Sequence, residues 1–168
     1  SEMCIRDSSI LEPNGLKIET PVGKIFHTAD WKIDPNPLVG ENINEKRLKE
    51  IGDEGIMTMV CDSTNIFSVG RSGSESDVRN NMIKIISRLK KRIVVTSFAS
   101  NVARMETIFY CAGISGRQIS LVGRSMHRIY KAAKNAGYLK DLIEPIDPRD
   151  AKKISRDKII YLCTGSQG

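Results

Sequence analysis

Two aspartates stand where apolar runs give out. Asp30 lies in GKIFHTADWKIDP (Gly23 to Pro35), and Asp62 follows GIMTMVC and opens DSTN. A strand is a rigid way to carry a carboxylate to its end, where it can bridge cations or position a substrate. A buried carboxylate needs partners, and Ser63, Thr64 and Asn65 can supply them to Asp62. The order His27, Asp30, Trp31 suggests a metal site, yet the chain holds only two histidines, His27 and His127. Residues three apart on a regular strand point to opposite faces. His27 and Asp30 therefore share a metal only if the strand ends between them, and His27 is expected to pack rather than to ligate. His127, among basic residues in SMHRIYKAAK, reads as a surface or groove residue.

Other chemistries have weaker support. There is no G-x-G-x-x-G and no Walker A sequence, and CTGSQG has no lysine after it, which argues against nucleotide hydrolysis. No nucleophile elbow accompanies the serines. Arg104, Arg124, Arg128, Lys131 and Lys134 form a basic set. It is either a solvated helix face or a groove that tracks phosphates. Phe98 can stack on a base at its strand end or belong to the core.

The elements that would position these residues follow from periodicity. LKIETPVGKIFHTADW predicts two strands with a turn at Pro21, Val22 and Gly23. A Pro-, Gly- and Asn-rich connection follows, with a short helix near residues 45–51. Beyond it, GIMTMVCDST, RIVVTSFAS, QISLVGRS and KIIYLCTGS are apolar runs that stop on polar residues, as strands buried on both faces do in a parallel sheet. Helices are predicted between them. Val78, Met82, Ile85, Ile86 and Leu89 share one face, with a Ser74 and Asp77 capping box ahead of them. Val102, Met105, Ile108, Phe109 and Ala112 share another, ended by Gly113. SMHRIYKAAKNAGYL gives a third helix and DPRDAKKIS a short fourth, with Pro148 at its start. Alternating strands and helices give an α/β fold with a mainly parallel sheet. Ligands bind such sheets beyond the strands' carboxyl ends. Here those ends read CDSTN, TSFASN, GRSM and CTGSQG. Taken singly, each is explained by caps and turns; their recurrence at all four ends points to a phosphate or sugar ligand.

Composition sets the bounds. With 168 residues, 40% of them hydrophobic and 27% charged, the chain can bury a core and is not a disordered tail. Its 26 Lys and Arg against 20 Asp and Glu give +6, which suits either an anionic partner such as nucleic acid or an ordinary basic protein. Cys4, Cys61, Cys111 and Cys163 form no C-x-x-C pair and read as buried thiols of a reducing compartment. No apolar run approaches the roughly 18 residues of a membrane span, and SEMCIRDSSI lacks a signal peptide's apolar core. The cytoplasm is the expected location.

HTADWKIDP, GDEGIMTMVCDSTN, GRSGSESDV, TSFASNVARM, VGRSM and LCTGSQG resemble, in this order, segments of the bacterial ribonuclease J family. That family lies in the β-CASP group of the metallo-β-lactamase superfamily. The resemblance covers nearly all of the chain after about Ser9. It implies the end of an αββα metallo-β-lactamase domain followed by a Rossmann-like β-CASP domain. It also implies hydrolysis of RNA by two zinc ions, with endonuclease and 5′-to-3′ exonuclease action and a preference for a 5′-monophosphate. A homo-oligomer without membrane attachment is expected. Asp30 matches the aspartate that bridges the zincs. Asp62 matches the acidic residue that opens the β-CASP motif series and is the second catalytic candidate. Ala99, Ser100 and Asn101 match a substrate-contacting segment.

The family's H-x-H-x-D-H cluster is absent, Ser8 stands where a zinc histidine is expected, and the H-x-S-G-H segment would follow CTGSQG. The expected organisation is a leader over residues 1–8 that resembles translated adapter sequence, the end of the metallo-β-lactamase part with a linker over 9–52, and a truncated β-CASP domain over 53–168. The chain by itself is then expected to lack hydrolysis and a stable zinc site. The alternatives are a metal-free Rossmann-like module that binds RNA or a nucleotide, and an inactive structural piece.

Overall fold

The computed structural model of the chain describes residues 2–5, 14–70 and 73–165. The segment around Ser8, the residues SILEP before Asn14, and the end of CTGSQG lie outside them. The chain divides into two units, Ser1–Ser74 and Glu75–Gly168.

The first unit is built on a four-stranded sheet in the order β1-β2-β3-β4. Strand β1 (Glu2–Ile5), inside the expected leader over residues 1–8, pairs antiparallel with β2 (Asn14–Thr20). Strands β2 and β3 (Gly23–His27) form the predicted hairpin, with Thr20 opposite Gly23 across the Pro21–Val22 turn. The Thr20 hydroxyl clamps that turn: it donates to the Gly23 carbonyl at 2.7 Å and accepts the Gly23 N–H at 3.2 Å. A Cβ on Gly23 would come within 2.8 Å of Met57 Sδ, so glycine lets the next strand approach. That strand, β4 (Thr58–Val60), runs parallel to β3. Helix α1 (Glu45–Asp53) connects the two, and the Asn44 side chain caps it by accepting the Arg47 N–H at 2.9 Å. A small core of Phe26 and Ile51, packed by Leu48 and Ile56, joins helix to sheet. Lys17 is buried against Glu54 at 2.6 Å, and Lys24 reaches the same carboxylate at 2.9 Å. The two ammonium groups pull the Glu54 carboxyl down to about 2, Lys17 contributing most.

The second unit is α/β. Its elements are α2 (Glu75–Arg88), β5 (Ile93–Thr96), α3 (Val102–Ile114), β6 (Gln118–Val122), α4 (Arg124–Asn135), α5 (Pro148–Ala151) and β7 (Ile159–Cys163). The sheet is wholly parallel in the order β5-β7-β6. Its last strand is therefore central, and Ile159, Ile160 and Leu162 of that strand are fully buried. The predicted face of α3 is the core: Met105, Ile108, Phe109 and Ala112 are buried with Ile119 and Leu121 of β6. Asp147 caps α5 ahead of Pro148 by accepting the Arg149 N–H.

Several expectations change. The sequence pattern places GIMTMV with the later apolar runs, beyond a boundary near Gly52. Its strand β4 pairs with β3 instead, which carries the first unit on to Ser74. All of β4 is exposed, and β5 is an edge strand whose Val94 faces outward, so neither is buried on both faces. Ile85 on α2 and Leu89 just beyond its end are exposed, and Ile86 is the buried apolar residue of the helix. Gly113 lies inside α3; the left-handed residue after the helix is Gly116, at φ +62°. Cys61 is exposed, whereas burial pushes the Cys111 thiol up.

Candidate functional site

The two aspartates leave neighbouring strands on one side of the first unit. Strands β3 and β4 are parallel with His27 opposite Val60, so their chains exit in the same direction, Asp30 three residues beyond His27 and Asp62 two beyond Val60. The Thr28 N–H extends the ladder by one bond to the Val60 carbonyl, at 2.9 Å. Buried Thr28 then turns its hydroxyl onto the Ala29 carbonyl at 2.8 Å and accepts the Asp62 N–H at 3.4 Å. The Trp31 indole N–H donates to the Asp62 carbonyl at 3.0 Å. The two carboxylate-bearing segments are thus laced together by backbone and side-chain bonds.

Between them Ala29 adopts φ +52°. A non-glycine residue in that region costs on the order of 1 kcal/mol or more and persists where its surroundings over-determine it. Here the Ala29 N–H is held by His27 Nδ1 at 3.0 Å and its carbonyl by Thr28. His27 is exposed and holds the turn; it is not a core residue, because the strand ends at that position. Asp30 is exposed. Half-buried Asp62 accepts the hydroxyl and the backbone N–H of Thr64 on one oxygen, and these bonds, the hydroxyl first, hold its carboxyl below the usual carboxylate range. Of the three partners expected for Asp62, Thr64 is the one engaged. Thr28 and Ala29 carry no signal of their own in the sequence, and Trp31 stands there only as part of the His27, Asp30, Trp31 order. The clue in hand was that Trp31, the chain's single tryptophan, directly follows Asp30.

In the second unit three of the four polar strand ends gather on the carboxyl edge of the parallel sheet. CDSTN is absent from this set because β4 lies in the other sheet. The Ser97 N–H donates to the Cys163 carbonyl at 3.0 Å, which joins the ends of β5 and β7. A Cβ on Gly123 would lie 3.7 Å from Thr164 Oγ1, which places the end of β6 beside that of β7. Asn101 caps α3 by accepting the Arg104 N–H at 2.8 Å. Ala99 is half-buried, while Ser100 and Phe98 are exposed, so Phe98 is not core.

The basic set separates. Arg104 forks onto Glu75 at 3.1 and 3.0 Å, and Lys134 pairs with Glu144, which also accepts the Tyr130 hydroxyl. Arg124, Arg128 and Lys131 remain exposed, as does His127.

Among the described residues, no group of three or more His, Cys, Asp or Glu lies together in a way that could hold a metal ion. Asp30 and Asp62 alone do not make a zinc site, which takes about four N, O or S donors. Among the described residues no helix is long and apolar enough to cross a membrane.

Residues 90–168 match the family model for the β-CASP domain of ribonuclease J. Across 95% of its length the chain is similar to ribonuclease J of Sinorhizobium meliloti, with 39% identity over 160 residues. The chain thus resembles ribonuclease J along nearly its whole length. The ribonuclease J proteins of Corynebacterium glutamicum and Thermus thermophilus are 39% and 33% identical over the same share of the chain. The chain spans 28%, 22% and 28% of the lengths of these three relatives. Among solved structures, a protein of unknown function from Enterococcus faecalis V583 shares the fold, with a TM-score of 0.59 and 16% identity. That match covers 97% of this chain and 40% of the other.

Proposed function

We propose that the chain is the part of an RNA-hydrolysing ribonuclease J that carries Asp30 and Asp62 to the cleavage site. The observation behind this reading is the parallel exit of β3 and β4, which brings both acidic residues to one side, laced by Trp31 and Thr28. In the parent protein Asp30 is a zinc-bridging ligand and Asp62 a catalytic carboxylate. The described residues do not complete a metal site, so zinc dependence requires donors from elsewhere. Ala99, Ser100 and Asn101, at the start of α3, are the RNA-contacting segment. The 5′-to-3′ exonuclease and endonuclease activities, the preference for a 5′-monophosphate, homo-oligomeric assembly and a cytoplasmic setting belong to the same proposal, as does the assignment of the four-stranded sheet to a metallo-β-lactamase domain.

A chimera tests it. Residues 14–165 replace the matching segment of Sinorhizobium meliloti ribonuclease J, which is 39% identical. The chimera should degrade 5′-monophosphorylated RNA, and Asp30→Asn should lower its rate by about a hundredfold or more at unchanged folding. A folded chimera that leaves RNA intact, or one indifferent to Asp30→Asn, overturns the assignment.

A metal-free RNA-binding module is the second reading. It is favoured by the Asp62 carboxylate being occupied by Thr64. It predicts a chimera that binds RNA without cutting it.

A further inference from the structure

The geometry points to the outward face of α4, through Arg124, Arg128 and Lys131, as a contact surface for the sugar-phosphate backbone of RNA. Helix α4 contains no Asp or Glu. At 100° per residue, Arg124, His127, Arg128 and Lys131 fall on one face, and all four are exposed. Met126, Tyr130 and Ala133 fall on the opposite face and are buried, with the Tyr130 ring stacked on Phe109 at 5.4 Å. The stripe runs about 10 Å along the helix axis, from a rise of about 1.5 Å per residue, which is long enough to meet more than one phosphate.

The fold sorts these cations from their neighbours. Arg104 and Lys134 are consumed by Glu75 and Glu144. Among the described residues no ion pair involves Arg124, Arg128 or Lys131, and unpaired cations on one face remain available to an outside anion. The stripe starts at the sheet's carboxyl edge, where Gly123 precedes α4 without a side-chain cap. The first amides of the helix therefore add their positive end to the same run. A membrane surface fits less well. The apolar face that a membrane-bound amphipathic helix would insert is here spent on the core.

This inference rests on the RNA reading above and deepens it by naming a binding face. The 168-residue chain is titrated with a fluorescein-labelled uridine homopolymer across a potassium chloride series. The stripe variant is Arg124→Gln/Arg128→Gln/Lys131→Gln. An equal-charge control is Lys46→Gln/Lys84→Gln/Arg88→Gln, which removes exposed cations elsewhere. Each single-strand phosphate contact contributes roughly 0.7 to the slope of log affinity against log salt. The stripe variant should therefore lose about 2 from the slope and at least about tenfold in affinity at low salt, while the control keeps most of both. Arg124→Lys/Arg128→Lys/Lys131→Arg, which preserves charge, should bind as the parent does and guards against a folding artefact. Unchanged binding by the stripe variant, or equal losses in the control, overturns the α4 face and leaves the RNA reading standing. No homopolymer binding by the unsubstituted chain overturns both. Binding of phosphatidylserine vesicles but not RNA overturns it in favour of a lipid surface.

Discussion

The indole of Trp31 donates its N–H to the backbone carbonyl of Asp62 at 3.0 Å, bridging 31 positions of sequence within the turn region that presents both acidic residues. The bond fixes one carboxylate-bearing segment against the other without using either carboxylate. Trp31→Phe keeps an aromatic ring but removes the donor together with the pyrrole half of the indole. It should lower stability by about 1 kcal/mol, read by urea unfolding followed by circular dichroism. An unchanged midpoint would show that the indole N–H does not tie the two segments.

The Lys17–Glu54–Lys24 cluster predicts an acid limb in the stability of the first unit. The carboxyl of Glu54 is drawn from its ordinary 4.5 down to about 2. A depressed folded-state value favours the charged native form, so its contribution is complete above about pH 4.5 and fades as pH falls toward 2. Glu54→Gln should flatten that limb while leaving the pH 5 to 7 region parallel to the parent. Urea midpoints measured from neutral to acidic pH decide it, and an identical acid limb in the variant refutes the role of this carboxylate.

Arg117 is buried and donates to two carbonyls that follow α2, those of Lys91 at 3.0 Å and Leu89 at 2.6 Å. Removing the guanidinium strands both acceptors, so Arg117→Ala should cost about 2 kcal/mol or more. Lysine cannot fork across both positions, and Arg117→Lys should recover little of the loss. Arg92→Ala, which removes an exposed guanidinium 5.6 Å from the Tyr161 ring, should stay within about 1 kcal/mol. Equal effects at the two arginines would refute the bracing role.

Among the described residues the Ser120 hydroxyl, buried in β6, has no hydrogen-bond partner. An orphaned buried hydroxyl carries a desolvation penalty. Ser120→Ala should therefore be neutral or raise stability by up to about 1 kcal/mol, where most core substitutions destabilise. Thermal unfolding reads it, and a loss above about 1 kcal/mol would mean the hydroxyl is satisfied in solution.

Sequence pattern carried much of this architecture, because the information was local. The Pro21–Val22 turn, the buried stripe from Met105 to Ala112 and the Asp147–Pro148 helix start each depend on residues within a few positions of one another. What the pattern missed was set by distant partners. Thr58–Val60 is apolar enough for either sheet, and its pairing with β3 rather than β5 is a long-range choice. Arg104 and Lys134 look like Arg124 and Lys131 along the chain, but carboxylates 29 and 10 positions away remove the first two from solvent service. For the candidate site, the sequence singles out Asp30 and Asp62 by their place after apolar runs, whereas the hydrogen bonds of Thr28, Ala29 and Trp31 that lace their segments are not visible in it. They exist only once β3 and β4 lie side by side.

The order β5-β7-β6 puts β7 between two strands that precede it in the chain. Strands β5 and β6 have no ladder to each other, and each waits for Ile159–Cys163 as its neighbour. On a translating ribosome the sheet therefore cannot begin to zip when β6 emerges. Some forty residues of synthesis separate β6 from the strand that welds it to β5, and during that interval Ile119, Leu121 and Ile93 lack their β7 neighbours. This late keystone leaves two apolar strands waiting for their shared neighbour during synthesis, and it makes shortening at β7 far more damaging than its five residues suggest.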